Sequence, residues 1–263
     1  MYTQAASVRR EVGDLEGAAG SLNNLGTIHH DRGNYAAAER FLRECLELQP
    51  DSAEATVNLG ECALQLGKDA EAQQLVAEAL RLFRERGDEE SEIFALGSLA
   101  RLALAERDMQ AASSFLADAR RLNDLQRNDN RARYIDLDEA RLLMLSGRVS
   151  EAVALAIGAL DYVHDLGIKR ETADALDILA EAALRNGKPG VAGRLWGTVE
   201  SLLLISGFSL GLRREAERSE LIESLAHATT LSLLEEGRVQ GRAFDVDSAV
   251  RLVHATFAPT AQP

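Results

Sequence analysis

Residues 19–52 read Ala19-Gly-Ser-Leu22-Asn23-Asn24-Leu25-Gly26-Thr27-Ile-His29-His30-Asp31-Arg-Gly33-Asn-Tyr35-Ala-Ala-Ala38-Glu-Arg-Phe41-Leu42-Arg-Glu-Cys45-Leu-Glu-Leu-Gln-Pro50-Asp-Ser52. Apolar and small residues recur here at helical spacing on either side of Gly33, which is the pattern of two helices joined by a tight turn. The stretch is 34 residues long, and its organisation returns from Ala53, Ile93, Arg133 and Ala173, the last three starts each 40 residues after the one before. Positions 7 and 8 of the five units are Leu25-Gly26, Leu59-Gly60, Leu99-Ala100, Glu139-Ala140 and Leu179-Ala180, and position 20 is Ala38, Ala72, Ala112, Ala152 and Ala192. An unbroken alanine column has a steric cause. Position 20 is expected where the second helix of a hairpin crosses the first, and a larger side chain would wedge the pair apart.

The turns repeat as well. Gly33, Gly67, Gly147 and Gly187 end the first helices, with Asp108 near that turn in the third unit. Glycine serves there because the residue closing a helix adopts the left-handed conformation. Gly13, Gly87 and Gly167 stand twelve residues before Leu25, Leu99 and Leu179 respectively. That recurrence makes residues 5–13 the tail of an earlier second helix, so the segment is expected to start inside a hairpin and to be part of a longer protein. The organisation expected is a repeat array over residues 1–206, with units near 19–52, 53–92, 93–132, 133–172 and 173–206 after a partial one, followed by a helical cap and tail over 207–263. In the cap, a charged helix is expected from Arg213 to about Glu236, and a last short helix over Ser248–His254 behind Asp245 or Asp247. The fold class is all-α, a solenoid of antiparallel helix hairpins closed by a C-terminal cap.

The large residue at position 4, the Leu-Gly pair, the small residues at 20 and 27 and Pro50 at position 32 resemble the tetratricopeptide repeat. The longer units resemble the repeats of large bacterial signal-responsive, ATPase-linked transcriptional regulators. The features that carry this second likeness are Arg9-Arg-Glu-Val-Gly13-Asp14, Leu22-Asn-Asn-Leu-Gly26, Ala192-Gly-Arg-Leu-Trp196-Gly197 and Glu236-Gly-Arg through Phe244 to Ala249-Val250. The resemblance implies a nucleotide-binding switch domain ahead of the repeats and an output domain elsewhere. The segment itself lacks the phosphate loop: Gly67-Lys68-Asp69 has neither the upstream glycine nor the hydroxyl. No ATP binding is therefore expected of it.

The composition narrows the function classes. A net charge of −13 repels phosphate backbones, so direct nucleic-acid binding is not expected. No apolar run approaches the roughly 18 residues of a membrane span and no leader pattern opens the chain, so a cytoplasmic location is expected. Cys45 and Cys62 lie at core positions of adjacent units and read as packed thiols. His29 and His30 are adjacent on a helix and point about 100° apart, which cannot chelate one metal as an i, i+4 pair does. Trp196 falls in the same column as Leu42 and Val76 and reads as core. No nucleophile–base pair with an orienting third group can be placed. The chain is expected to be no enzyme and to hold no cofactor and no metal.

Function then falls to the face of the first helices, positions 2, 5, 6, 9, 12 and 13. The candidate partner-binding residues are Asn23, Asn24, Thr27, His30, Asn58, Glu61, Ser98, Arg101, Tyr134, Asp138, Arg141, Asp177 and Glu181. Asn24 and Asn58 share position 6, and their amides suit an extended peptide backbone. Arg101 and Arg141 share position 9 and suit carboxylates of a partner. Lysines that clamp a C-terminal carboxylate in chaperone-type repeats are replaced here by Asn23 and Phe94, which disfavours that ligand. The expectation is a protein-interaction or sensor module of a cytoplasmic bacterial regulator that binds a protein, a peptide or a small effector. The alternative is a free-standing adaptor that scaffolds an assembly without sensing any signal.

Overall fold

The structure, a computed structural model, describes residues 2–225 and 227–258. Among the described residues there are fourteen helices and no strands. The chain divides into two compact units, one formed by the described residues up to 127 together with 211–213, the other by the remainder. The fold is the all-α, tandem-hairpin class.

Unit 1 contains α1 (Tyr2–Glu11), α2 (Leu15–Asp31), α3 (Tyr35–Leu48), α4 (Ala53–Gln65), α5 (Asp69–Arg86), α6 (Glu89–Ala105) and α7 (Met109–Gln126). The pairs α2–α3, α4–α5 and α6–α7 are antiparallel hairpins, and α3 also packs on α4 and α5 on α6. Asp14, Ser52, Asp88 and Asp108 start their helices by accepting a backbone N–H three residues on, which removes one of the donors a helix N-terminus leaves open. Gly33 and Gly67 close the first helices at φ of +74° and +71°; in the third hairpin the same left-handed place is taken by Arg107 at +61°. Asp108, which marks that turn in the sequence, is the cap of α7 instead of the turn residue. Ala38, Ala72 and Ala112 are completely buried. Opposite them position 8 is equally tight: a Cβ on Gly60 would stand 2.6 Å from the Val76 Cγ2. Ala112→Leu, and Ala152→Leu in the other unit, should each lower stability by about 1–3 kcal/mol, because added methylenes have no room at the crossing. Unchanged denaturation midpoints for both would refute the register.

Unit 2 contains α8 (Asp129–Leu145), α9 (Val149–Asp165), α10 (Lys169–Arg185), α11 (Pro189–Ser206), all of α12 (Leu212–Leu225) from Arg214 onward, α13 (Ala228–Gly241) and α14 (Val246–Phe257). The hairpins are α8–α9 and α10–α11, with Ala152 and Ala192 completely buried. α13 packs along α11. Here the contact surface is made of glycines: a Cβ on Gly193 would run into the Leu234 carbonyl oxygen, one on Gly197 into the Arg238 oxygen, one on Gly237 into the Gly190 oxygen and one on Gly241 into the Arg194 oxygen. Two Gly-x3-Gly runs, one per helix, thus place backbone against backbone. Thr198 Oγ1 donates to the Gly241 oxygen at 3.1 Å across the same contact. α14 is capped by Asp245, whose carboxylate accepts from the Ser248 N–H at 2.7 Å. It is tied to α9 by His164–Asp247 at 3.0 Å and His254–Asp161 at 2.8 Å.

The region after Gly207 departs from the sequence expectation in one respect. The single charged helix expected from Arg213 to Glu236 is two helices, and the second continues through the Gly237–Gly241 stretch. Their duties differ: α13 must present its glycine side to α11, whereas α12 turns arginines toward α10. No straight helix satisfies both. His227, in extended backbone, opens α13.

Candidate functional site

The first helices of the hairpins carry the candidate residues, and their side chains pair with one another along each unit. In unit 1, the Asn58 Nδ2 donates to the Asn23 Oδ1 at 3.1 Å and reaches the Thr27 Oγ1 at 3.4 Å. Asn58 therefore uses its donor on Asn23, while Asn24, its counterpart at position 6, is exposed. His30 is half-buried with its ring edge-on to Tyr35 at 5.3 Å and its Nδ1 3.6 Å from Asp31. One repeat further, the Arg101 guanidinium donates to Glu61 at 2.6 Å and to the Ser98 Oγ at 3.1 Å. Glu61 is buried, which by itself pushes its carboxyl up; the Arg101 charge outweighs this and holds it below the usual carboxylate range. Ser98, fully buried, donates to the Phe94 carbonyl at 3.1 Å.

In the same unit the segment 211–213 meets the end of α4 and the start of α5. Arg213 pairs with Asp69, and its backbone N–H donates to the Gln65 Oε1 at 3.4 Å.

In unit 2, Arg141 lies 3.3 Å from both Asp138 on its own helix and Asp174 on α10. Tyr134 is half exposed at the start of this row. Burial of its hydroxyl, and then its hydrogen bond to Glu171, raise its pKa. The densest cluster forms around Asp177, which is 0% exposed. Its Oδ2 accepts from the Arg214 Nε at 2.5 Å, and its Oδ1 accepts from the Arg218 guanidinium at 2.6 Å and from the Trp196 indole N–H at 2.9 Å. A second nitrogen of Arg214 donates to Glu181 at 2.7 Å, and Glu181 also takes Arg185 at 2.8 Å. The Arg218 guanidinium stands over the Trp196 ring, 5.1 Å from its centroid. Burial opposes the charge on Asp177, but Arg214 and Arg218 reverse that and hold its carboxyl well below the ordinary range.

The structure thus gathers Asn23, Thr27 and Asn58 into one group, Glu61, Ser98 and Arg101 into a second, Asp138 and Arg141 into a third, and Asp177 with Glu181 into a fourth. Asn24 stands apart from the first of these. Arg101 and Arg141, read as anchors for a partner's carboxylates, each hold a carboxylate of this chain. Trp196 is core, as its column implies, but it is also a hydrogen-bond donor. Arg214 and Arg218 were not singled out by sequence reasoning, although a signal existed: they are four residues apart, and so are Asp177 and Glu181. Equal spacing on two helices lets one arginine pair face one carboxylate pair.

The two cysteines are buried and reduced. Burial raises both thiols, that of Cys62 to about 12, so neither is a nucleophile near neutral pH. Among the described residues no group of three or more His, Cys, Asp or Glu side chains is placed to hold a metal ion, and no helix is long and apolar enough to cross a membrane.

The tandem hairpins have a counterpart among known families: the tetratricopeptide repeat family model matches residues 29–90. No curated protein matches the chain. Among solved structures, the chain is similar to the crystal structure of a variant of a putative kinesin light chain from Podosopora anserina, described as having nearly identical TPR-like repeats. That likeness has 19% identity and a TM-score of 0.48, over 71% of this chain and 94% of that one. Residues 29–90 thus match a tetratricopeptide repeat, and repeats of this class serve as protein- or peptide-binding modules.

Proposed function

We propose that this chain is the interaction and sensing segment of a bacterial signal-responsive transcriptional regulator, and that the first-helix faces receive a protein or peptide partner. The observation that carries the binding face is the row of paired polar groups running from Asn23 through Asn58 and Glu61 to Arg101 in unit 1, and from Asp138 through Arg141 to Asp174 in unit 2. Side chains held by neighbours lose little freedom when a ligand arrives, so such a face is pre-organised for recognition. The regulator context is supported by the resemblance at Ala192–Gly197 and Glu236–Val250, which falls on the glycine-faced α11–α13 pair and the start of α14.

The binding face is tested with an array of extended peptides, followed by affinity measurement for those that bind. Asn58→Ala should weaken binding by about 1 kcal/mol, and Arg141→Ala by about 1.5–3 kcal/mol, with helicity retained in circular dichroism. A double variant that binds like the parent, alongside a Phe244→Ala variant that does not bind, places the partner on the cap and ends the reading of the first-helix face as its site. The regulator context predicts that the intact gene product binds nucleotide through a switch domain ahead of these repeats, with an affinity that changes when the repeats are occupied. An intact product with no nucleotide affinity leaves the adaptor in its place.

A further inference from the structure

The Asp177–Glu181 cluster is filled by two arginines of this chain's own α12. α12 from Arg214 onward has no fully buried residue. It is held to α10 through two long side chains and rests Leu221 and Ile222, both half-buried, on the core of unit 2. What it delivers is chemically specific. Asp177 and Glu181 offer oxygens one helical turn apart, and Arg214 spans them with separate nitrogens of a single guanidinium. Arg218, one turn on, adds a donor to the other oxygen of Asp177 and lays its planar cation over the Trp196 ring. A forked donor and a flat, weakly hydrated cation are properties of arginine, not of lysine. The carboxylates lie on a first helix, on the face that the proposed function assigns to partners, and the two arginines hold the Asp177 carboxyl well below the ordinary range.

We propose that this site is a guanidinium-selective docking site for a helix bearing two arginines four residues apart, and that Arg214–Leu225 is its internal ligand, displaced when a partner helix of the same chemistry binds. This rests on the reading of the first-helix face as the partner-binding surface. A tethered ligand competes at an effective concentration on the order of millimolar. An outside helix with the two arginines alone must therefore approach that concentration to exchange, and a physiological partner adds contacts along the rest of the face.

The probe is a fluorescent synthetic peptide of residues 212–225, Leu-Arg-Arg-Glu-Ala-Glu-Arg-Ser-Glu-Leu-Ile-Glu-Ser-Leu, titrated against the whole chain by anisotropy. A chain carrying Arg214→Gln with Arg218→Gln should bind it about tenfold or more tighter than the unaltered chain, because its own segment no longer fills the site. Changing arginines 214 and 218 of the peptide to lysine should weaken binding to that chain about tenfold, and changing both to glutamine should abolish it. Adding Asp177→Asn to the chain should abolish it as well. If the doubly substituted chain does not fold, hydrogen exchange of the unaltered chain carries the test: millimolar peptide should speed exchange over 214–225 and leave 169–185 protected, whereas the glutamine peptide should change neither. Equal binding of the arginine and lysine peptides overturns the selectivity. Exchange over 214–225 that does not respond, together with no gain in the doubly substituted chain, overturns the displacement. Failure here is separable from failure of the binding face: a partner still lost on Asn58→Ala with Arg141→Ala, while 214–225 stays unresponsive, removes the internal ligand alone.

Discussion

Gly241→Leu should lower the stability of the chain by about 3 kcal/mol or more, with Gly197→Leu close behind. The ordinary cost of overpacking arises where neighbouring side chains can rotate away. Here the obstacle is main chain on both sides: the Arg194 carbonyl opposite Gly241 and the Arg238 carbonyl opposite Gly197. A side chain at either place must push α13 off α11, uncovering Leu234 and breaking the Thr198 hydrogen bond to Gly241. The control lies in the same protein. Gly20 in α2 and Gly158 in α9 have open space where a Cβ would go. Gly20→Ala and Gly158→Ala should therefore stabilise by about 0.5–1 kcal/mol, since alanine loses less backbone entropy on entering a helix. Urea midpoints for the four variants check both signs. Equal, small effects at all four positions would dismiss the backbone contact.

Asp177→Ala should cost about 3 kcal/mol. The substitution leaves the Trp196 indole N–H inside the core without its acceptor and takes from Arg214 and Arg218 the carboxylate they share. Trp196 is the one tryptophan of the chain, so its fluorescence reports unfolding of this unit directly. Acid should act on the same group. The folded pKa of Asp177 lies below its unfolded value, so its contribution is complete above the unfolded pKa of about 4 and is lost as pH falls through the folded one. The difference in stability between the parent and Asp177→Ala should be constant from neutral pH to about 5 and should shrink below about 4. A difference that stays constant to pH 2 would show that the carboxylate's charge is not what the site uses.

The fold was readable because its constraints are local and periodic. Ala38, Ala72, Ala112, Ala152 and Ala192 mark the crossings, and a crossing tolerates one size of side chain whatever surrounds it. Turns were readable where glycine supplies the left-handed residue, as at Gly33, but not at Arg107 or Arg127, whose side chains give no hint of positive φ. The cap was harder. Its two glycine pairs are only visible as a contact once α11 and α13 are known to meet, since Gly193 and Gly197 look like ordinary weak points of a helix when read alone. The site was legible as a face and not as a network. Position numbers place Glu61, Asp138, Asp177 and Glu181 on one side of their helices, yet they do not say that Arg101 and Arg141 are already engaged, or that arginines some 40 residues downstream of Asp177 return to it. Apart from Arg141 with Asp138, those carboxylate pairings span different helices, and periodicity within one helix carries no information about them.

Arg127 closes α7 in left-handed backbone, and Asn128, the next residue, opens α8. It is also the last residue before the chain passes from one compact unit to the other. Arg107 shares its backbone conformation, but that residue sits inside the α6–α7 hairpin, whose helices still clasp each other after the chain is cut between them. Trypsin acting under native conditions consequently finds at Arg127 a basic turn where cleavage leaves whole hairpins on either side instead of a broken one. A boundary of that kind is where a gene tolerates an inserted segment or a fused reporter, and where a nuclear magnetic resonance study divides the chain for segmental labelling.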